Sequence, residues 1–391
     1  MTSTAIDQRL LAEAIDWMID GCVSAPTAEL VLDQTCARLI ACGVPLAHAA
    51  VFVRTLHPEI MGRRWFWQAG SGSEGLNLEH DIFEDPEYRA SPIKYVFDEA
   101  KPLRRRLDAP DCPTDFTFLA RFREQGVTDF LAFPLRASDG TVNACAWMTK
   151  MPGGFSDAAV AALEAIVRPM ARMVEVRALK RIAINLLDTY VGGQAGARIL
   201  AGQIRRGNVQ SIRAAIWLSD MRDFTARADR MPAADLVALL NRYFDCQVPA
   251  IREQGGEVLK FMGDGLLAIF PIETSVTAGC DRALTAARKV EAEIAAADWG
   301  GLEAPGGVKF GVALHVGEVL YGNIGSTDRL DFTCIGPAVN IAARIERLTV
   351  ETGRTILASA EFAAACGDRM VPLGSFALKG VSVPQSVYGV A

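Results

Sequence analysis

Two strand-like apolar runs, each delivering an aspartate to a chain reversal, constrain this sequence more than any other feature. AAIWLSD (214–220) ends on Asp220. GGEVLKFMGDGLLAIF (255–270) reads as a hairpin with Met262-Gly263-Asp264-Gly265 as its turn, which puts Asp264 in the turn itself. A hydrophobic core has no place for either carboxylate, so both belong where strand ends converge. Such places hold hard cations between carboxylates and substrate phosphates. The surrounding chain alternates strand-like and helical stretches. A strand runs to Asp220, and a helix over 232–247 precedes the hairpin at 256–270. A helix over 276–296, strands near 308–325 and 331–336, and a helix over 337–348 follow. Lys260 precedes Asp264 by four residues. Asn340 and Arg344 are four apart, so they share one face of the helix opened by Gly336-Pro337.

With 391 residues the chain has room for roughly two to three domains. Residues 1–155 read as one α+β domain. It opens with helical spacing at Leu10, Leu11, Ile15 and Met18, and a second helix is expected over 27–42. AAVFVR (49–54) and RRWFWQ (63–68) are rich in strand formers. DFLAFPLR (129–136) and TVNACAWMTK (141–150) flank an Asp-Gly turn, a hairpin signal. This succession of helix pair, strands and terminal hairpin resembles a GAF-type sensor domain, and no residue in it identifies a ligand or partner. Residues 156–209 read as a helical signalling connector. Ser156 is placed as its N-cap, with Phe155 stapling against Val160. Apolar residues at 160, 163, 167, 170, 174, 178, 182 and 186 form a drifting heptad seam, which predicts a two-stranded dimeric helix rather than one packed on its own domain. Pro169 is expected to kink it. Five glycines in 187–209 suggest an articulated junction, and 210–391 is the catalytic candidate.

Composition excludes several classes. A net charge of −6 gives no reason to expect nucleic-acid binding. The dense basic run Arg104-Arg105-Arg106 reads as a solvated loop face. Nine scattered cysteines without a Cys-x-x-Cys pair point to reduced, mostly buried thiols and a cytoplasmic location. The four histidines (His48, His57, His80, His315) do not cluster with them, which argues against zinc. MTSTAIDQRL lacks the pattern of a signal peptide, and no uncharged apolar run reaches the length of a membrane span.

The segments SDMRDFT (219–225), GGEVLKFMGDGLLAIF (255–270), FGVALHVGEVLYGNIGS (310–326) and LDFTCIGPAVNIAARIE (330–346) together resemble a class III nucleotidyl cyclase catalytic domain. The resemblance covers 210 to the C-terminus and implies a ferredoxin-like βαββαβ core. It implies an adenylate cyclase that makes 3′,5′-cyclic AMP and pyrophosphate from ATP. Asp220 and Asp264 match the family's metal-binding aspartates, with the Met221 carbonyl as a further ligand, for two Mg²⁺ or Mn²⁺ ions per site. Asn340 matches the residue that orients the ribose, and Arg344 the one that donates to the α-phosphate. Arg347, a turn further on, is the weaker candidate for that phosphate. Lys260 and Thr333 match the base-selecting pair, and Lys with Thr resembles the adenylyl cyclases described as bicarbonate-responsive. Guanylyl cyclases of the class usually carry Glu and Cys there, and the adjacent Cys334 reads as core. Backbone amides near Phe224 and Thr225 would face the triphosphate. The family usually has Gly where this chain has Asp223, a side chain expected to point outward or to cap the next helix. Lys379 resembles the lysine that contacts the terminal phosphates, whereas His315 and Glu318 read as structural. In the family the aspartates come from one subunit and the Lys, Thr, Asn and Arg from the other, which implies a homodimer with shared sites. The alternatives are a guanylyl or mixed-purine cyclase and a catalytically idle nucleotide-binding module.

Overall fold

A computed structural model describes residues 5–55, 60–302 and 307–391, so His57 lies outside the described residues. The chain divides into two units, Met1–Leu186 and Leu187–Ala391, each built on its own sheet.

The first sheet contains β1 (His48–Arg54), β2 (Ile60–Gln68), β3 (Gly72–Glu79), β4 (Leu103–Arg106), β5 (Asp129–Arg136) and β6 (Val142–Thr149). Their order is β3-β2-β1-β6-β5-β4, with every pairing antiparallel. The helices are α1 (Gln8–Ile19), α2 (Ala28–Ala41), α3 (Pro86–Arg89), α4 (Pro92–Glu99), α5 (Phe118–Glu124) and α6 (Asp157–Tyr190). Side chains alternate across the strands, as a sheet covered on both faces requires. Val51, Leu131, Phe133 and Trp147 pack against α1, α2 and α6. Ala50, Phe130, Ala132 and Met148 pack against α4 and α5. The expected helix pair and the hairpin (here β5–β6) are present in this unit.

Two expectations change. Arg104–Arg106 form strand β4, and each arginine meets an aspartate. Arg104 donates to the fully buried Asp129 at 2.7 Å, Arg105 pairs with Asp115, and Arg106 lies 3.7 Å from Asp108. The buried Asp129 needs a counter-ion, so the start of the run is structural rather than solvated, while Arg106 stays exposed. The connector begins as expected, with the Ser156 hydroxyl accepting from the Ala159 amide at 3.2 Å. The helix is continuous through Pro169. However, the first half of the predicted seam is already occupied. Leu163, Met170 and Val174 are buried in their own unit's core, and Val160 and Val167 pack against it. The stripe left open is Val176, Leu179, Ala183, Leu186 and Tyr190, again in 3-4-3-4 spacing. Val176 is 67%, Leu179 56% and Tyr190 80% exposed.

The second unit opens with α7 (Gly193–Leu200) and β7 (Val209–Met221), then α8 (Phe224–Ala228) and α9 (Ala233–Glu253). Next come β8 (Glu257–Met262), β9 (Gly265–Pro271), α10 (Val276–Ala296), β10 (Phe310–Gly325), β11 (Leu330–Ile335) and α11 (Pro337–Thr352). β12 (Ile356–Ser359), α12 (Ala360–Cys366), β13 (Met370–Phe376) and β14 (Gln385–Val390) complete it. The strand order β13-β14-β12-β10-β7-β9-β8 contains the expected βαββαβ core, β10-β7-β9-β8, all antiparallel. β12 adds in parallel to β10, and β11 folds back onto the far half of β10. Helices α9, α10 and α12 cover one face through Trp217, Phe270 and Leu314. On the other face Ile216, Leu267, Ile269 and Tyr321 form a core with Ala195 of α7, Phe332 of β11 and Ala342 of α11. Among the described residues no helix is long and apolar enough to cross a membrane.

Candidate active site

The antiparallel register β10-β7-β9 brings both aspartates to one edge. Asp220 lies opposite Gly311, and β9 starts immediately after the turn that carries Asp264. Gly263 turns the hairpin with φ +71°, a left-handed conformation that favours glycine. The Met221 amide donates to Asp264 Oδ2 at 3.2 Å, which locks the turn to the end of β7. Gly265 leaves room for the pair, since a Cβ there would stand 3.3 Å from Asp220 Oδ1. Burial pushes the Asp220 carboxyl up to about 7, helped by the adjacent Asp264 carboxylate and then by Glu346. Sequence reasoning missed Glu346. This α11 residue has its own pKa raised by burial and, less, by Asp264, while Thr349, Arg222 and Arg347 pull it down. Its only sequence signal is an acid two residues past Arg344.

Position on α11 decides how the other residues relate to this acidic edge. Two residues of helix turn through about 200°, so Arg344 and Glu346 point in opposed directions. Glu346 is the side turned to the chain's own aspartates. Asn340, exposed, and Arg344 share the other side, and the Arg344 guanidinium lies by Gly380, where a Cβ would be 3.5 Å from Nη2. Lys379, the residue before Gly380, is exposed. Arg347 is exposed, and its charge is felt by Glu346.

Lys260 comes to the side of β11 by a less obvious route. β8 carries a bulge between Val258 and Lys260, so Leu259 has no partner and Lys260 pairs with Leu267. The extra residue moves Lys260 off the face of Val258 and onto the face of Leu267 and Tyr321. β11 lies against β8. Burial raises the Cys334 thiol to about 12, and the nearby Lys260 charge lowers it. Cys334 itself is core, as expected. Thr333 is 3% exposed, and its hydroxyl has no hydrogen-bond partner among the described residues.

Asp223 is exposed and left-handed, at φ +59° and ψ +23°, the backbone geometry for which glycine is favoured and Asp tolerated. It stands at the N-cap of α8 but makes no capping hydrogen bond, so of the two expectations the exposed, outward one holds. Phe224 packs on the α9–α10 core and Thr225 is exposed. Arg222 anchors the end of β7 to α11 by donating to the carbonyls of Thr349 (2.6 Å) and Arg354 (2.7 Å). His315 is buried and bonded to Ser359 at 2.8 Å, and Glu318 is exposed. Among the described residues, no three His, Cys, Asp or Glu side chains stand as a metal-ligand group.

Residues 209–384 match the family model described as the adenylate and guanylate cyclase catalytic domain. Adenylate cyclase 1 of Rhizobium meliloti (strain 1021) is 29% identical over 179 residues, 44% of this chain and 26% of that protein. The adenylate cyclase of Anabaena cylindrica is 33% identical over 160 residues, 39% of this chain and 31% of that protein. The chain thus spans less than a third of either relative's length. A solved bacterial light-regulated adenylyl cyclase aligns with 57% of this chain and 65% of its own at 25% identity, with a TM-score of 0.47.

Proposed function

We propose that this chain, whose residues 209–384 match the adenylate and guanylate cyclase catalytic domain model, converts ATP to 3′,5′-cyclic AMP and pyrophosphate at sites shared between two copies. The observation that carries the sharing is the geometry of α11. Its Glu346 side is turned to the chain's own Asp220 and Asp264, so Asn340 and Arg344 lead away from them. A second copy supplies what each acidic edge lacks.

The acidic edge suits a divalent cation. Two carboxylates lie together, Asp220 is driven toward neutrality by burial and then by that neighbour, and neither pairs with a basic side chain among the described residues. These hard oxygen donors fit Mg²⁺ or Mn²⁺, held by Asp220, Asp264 and the Met221 carbonyl. When bound, the metal screens the triphosphate and eases loss of the ribose 3′-hydroxyl proton. The rest falls to the protein. Lys260 donates to adenine N1, and the buried Thr333 hydroxyl accepts from the 6-amino group. Asn340 orients the ribose, so that the 3′-oxygen lies in line with the α-phosphorus. As the new O–P bond forms and the bond to pyrophosphate breaks, charge builds on the α-phosphate oxygens. Arg344 meets that charge with a rigid, permanently charged fork of donors. Lys379 and the amides around Phe224 and Thr225 hold the terminal phosphates.

The N-terminal unit is proposed as a GAF-like sensor; its six-stranded antiparallel sheet with helices on both faces supports that reading. α6 links it to the catalytic unit, and its open stripe at Val176, Leu179, Ala183, Leu186 and Tyr190 is the proposed pairing surface of a cytoplasmic homodimer. The test is a cyclic-nucleotide assay on the purified chain with ATP and GTP under Mg²⁺ and under Mn²⁺. Cyclic AMP as the dominant product is expected. Cyclic GMP in excess, or no product with either metal, contradicts the reading.

A further inference from the structure

A buried acid at the start of β8 has no role in the chemistry above. Glu257 is 5% exposed, and its Oε2 accepts from the Tyr321 hydroxyl at 2.6 Å. Tyr321 is itself fully enclosed, edge-on to Phe332 with ring centroids 4.9 Å apart. The guanidinium of Arg198, on α7, lies over the tyrosine ring at 5.0 Å. The chain of contacts therefore runs from α7 through β10 to β8. α7 has little freedom to move independently of it. Ala195 is buried in the same core as Tyr321 and Leu259, and the Asn323 amide donates to the Gln203 carbonyl at 2.6 Å. The glycine-rich junction is thus docked on the catalytic sheet rather than loosely articulated.

What lies at the other end of this chain gives it meaning. Lys260 is three residues past Glu257, beyond the bulge at Leu259 that turns it onto the face of Tyr321. A bulged strand has lost a ladder position, so its side chains depend on tertiary contacts for their direction. Glu257 and Lys260 both act on the Cys334 thiol, which neighbours Thr333. A buried carboxylate is costly unless it is held, and here the Tyr321 hydroxyl and the Arg198 charge help to hold Glu257, whose Oε1 has no hydrogen-bond partner among the described residues.

We propose that Glu257 is a positioning residue for Lys260, and that Arg198, Tyr321 and Glu257 make the α7 junction a determinant of which purine the site accepts. This rests on the reading that Lys260 contacts the base. Movement of α7 would shift the strand that aims the lysine, whereas the Asp264 turn is tied separately to the end of β7 through the Met221 amide.

The experiment measures kcat and KM for ATP and GTP in the full-length chain. Glu257→Leu is expected to raise the KM for ATP about 10-fold, the effect of losing one buried charge-assisted bond. It should lower the ATP-over-GTP ratio while kcat changes much less. Glu257→Gln keeps an acceptor for Tyr321 and should recover most of the loss. The paired variant Glu257→Leu/Tyr321→Phe leaves no orphaned polar group, so it separates lost positioning from lost folding; it should match Glu257→Leu. Arg198→Ala should move the ratio the same way by less. In a Lys260→Ala background, Glu257→Leu should add nothing further. Equal losses for both purines, or additive losses on top of Lys260→Ala, overturn the proposal. A Lys260→Ala variant with unchanged KM for ATP overturns the base-lysine reading as well, and so tells the two failures apart.

Discussion

Replacing Asp220 by asparagine should destroy turnover yet stabilise the metal-free protein, because this carboxylate is held where its charge is unwelcome. Burial and the neighbouring Asp264 and Glu346 raise its pKa from 3.8 to about 7. A carboxyl with a raised folded-state value is unpenalised below its unfolded value. Its penalty grows as pH climbs through the folded one. The rise is equivalent to about 4 kcal/mol in full. Asp220 is only partly buried, and solvent screening brings that to about 2 kcal/mol. For a unit of this size, ~2 kcal/mol moves Tm by ~4–8 °C. Asp220→Asn should therefore raise the Tm of the metal-free catalytic unit by that amount at pH 8 and leave it unchanged near pH 4. Mn²⁺ should raise the wild-type Tm at pH 8 and have little effect on the variant. Differential scanning fluorimetry with and without chelator reads all of this. A variant that melts lower than wild type at pH 8 without metal would refute the crowding argument.

Two further predictions concern the proposed base pocket and the connector. Thr333→Val should cost no stability, because the buried hydroxyl has no partner to lose, but kcat/KM for ATP should fall about 5–10-fold for the missing hydrogen bond. Thermal melts and steady-state kinetics check both halves, and an unchanged kcat/KM would remove Thr333 from the site. Leu179→Glu, on the open stripe of α6, should weaken self-association at least ~10-fold in sedimentation experiments and make specific activity depend on protein concentration. A dimer as tight as wild type would mean that α6 pairs elsewhere or not at all.

Much of the catalytic unit was legible because its elements are long and its periods clean. β7 and the β8–β9 hairpin stand where the apolar runs put them, and α9 and α11 each extend a few residues beyond their apolar spacing. Asp220 and Asp264 were readable as a pair because strand ends converge. What escaped was whatever depends on tertiary register. A bulge such as that at Leu259 leaves no trace in composition, yet it decides which face Lys260 occupies. Glu346 looks like an ordinary helical acid until α11 is laid beside β7. The seam from Val160 to Val174 was a correct apolar stripe, but spacing cannot say whether a partner or the chain's own sheet covers it. The arginine run differed for the same reason, since the partners of Arg105 and Arg104 lie 10 and 25 residues further on.

Complementation between two dead variants tests the shared site most directly. Asp220→Ala and Arg344→Ala are each expected to be inactive alone. Refolded together at equal amounts, they should recover about a quarter of wild-type activity, because half the dimers are mixed and each mixed dimer keeps one whole site. No recovery, in mixtures shown to contain heterodimer, would contradict the claim that neighbouring copies complete one another's active sites.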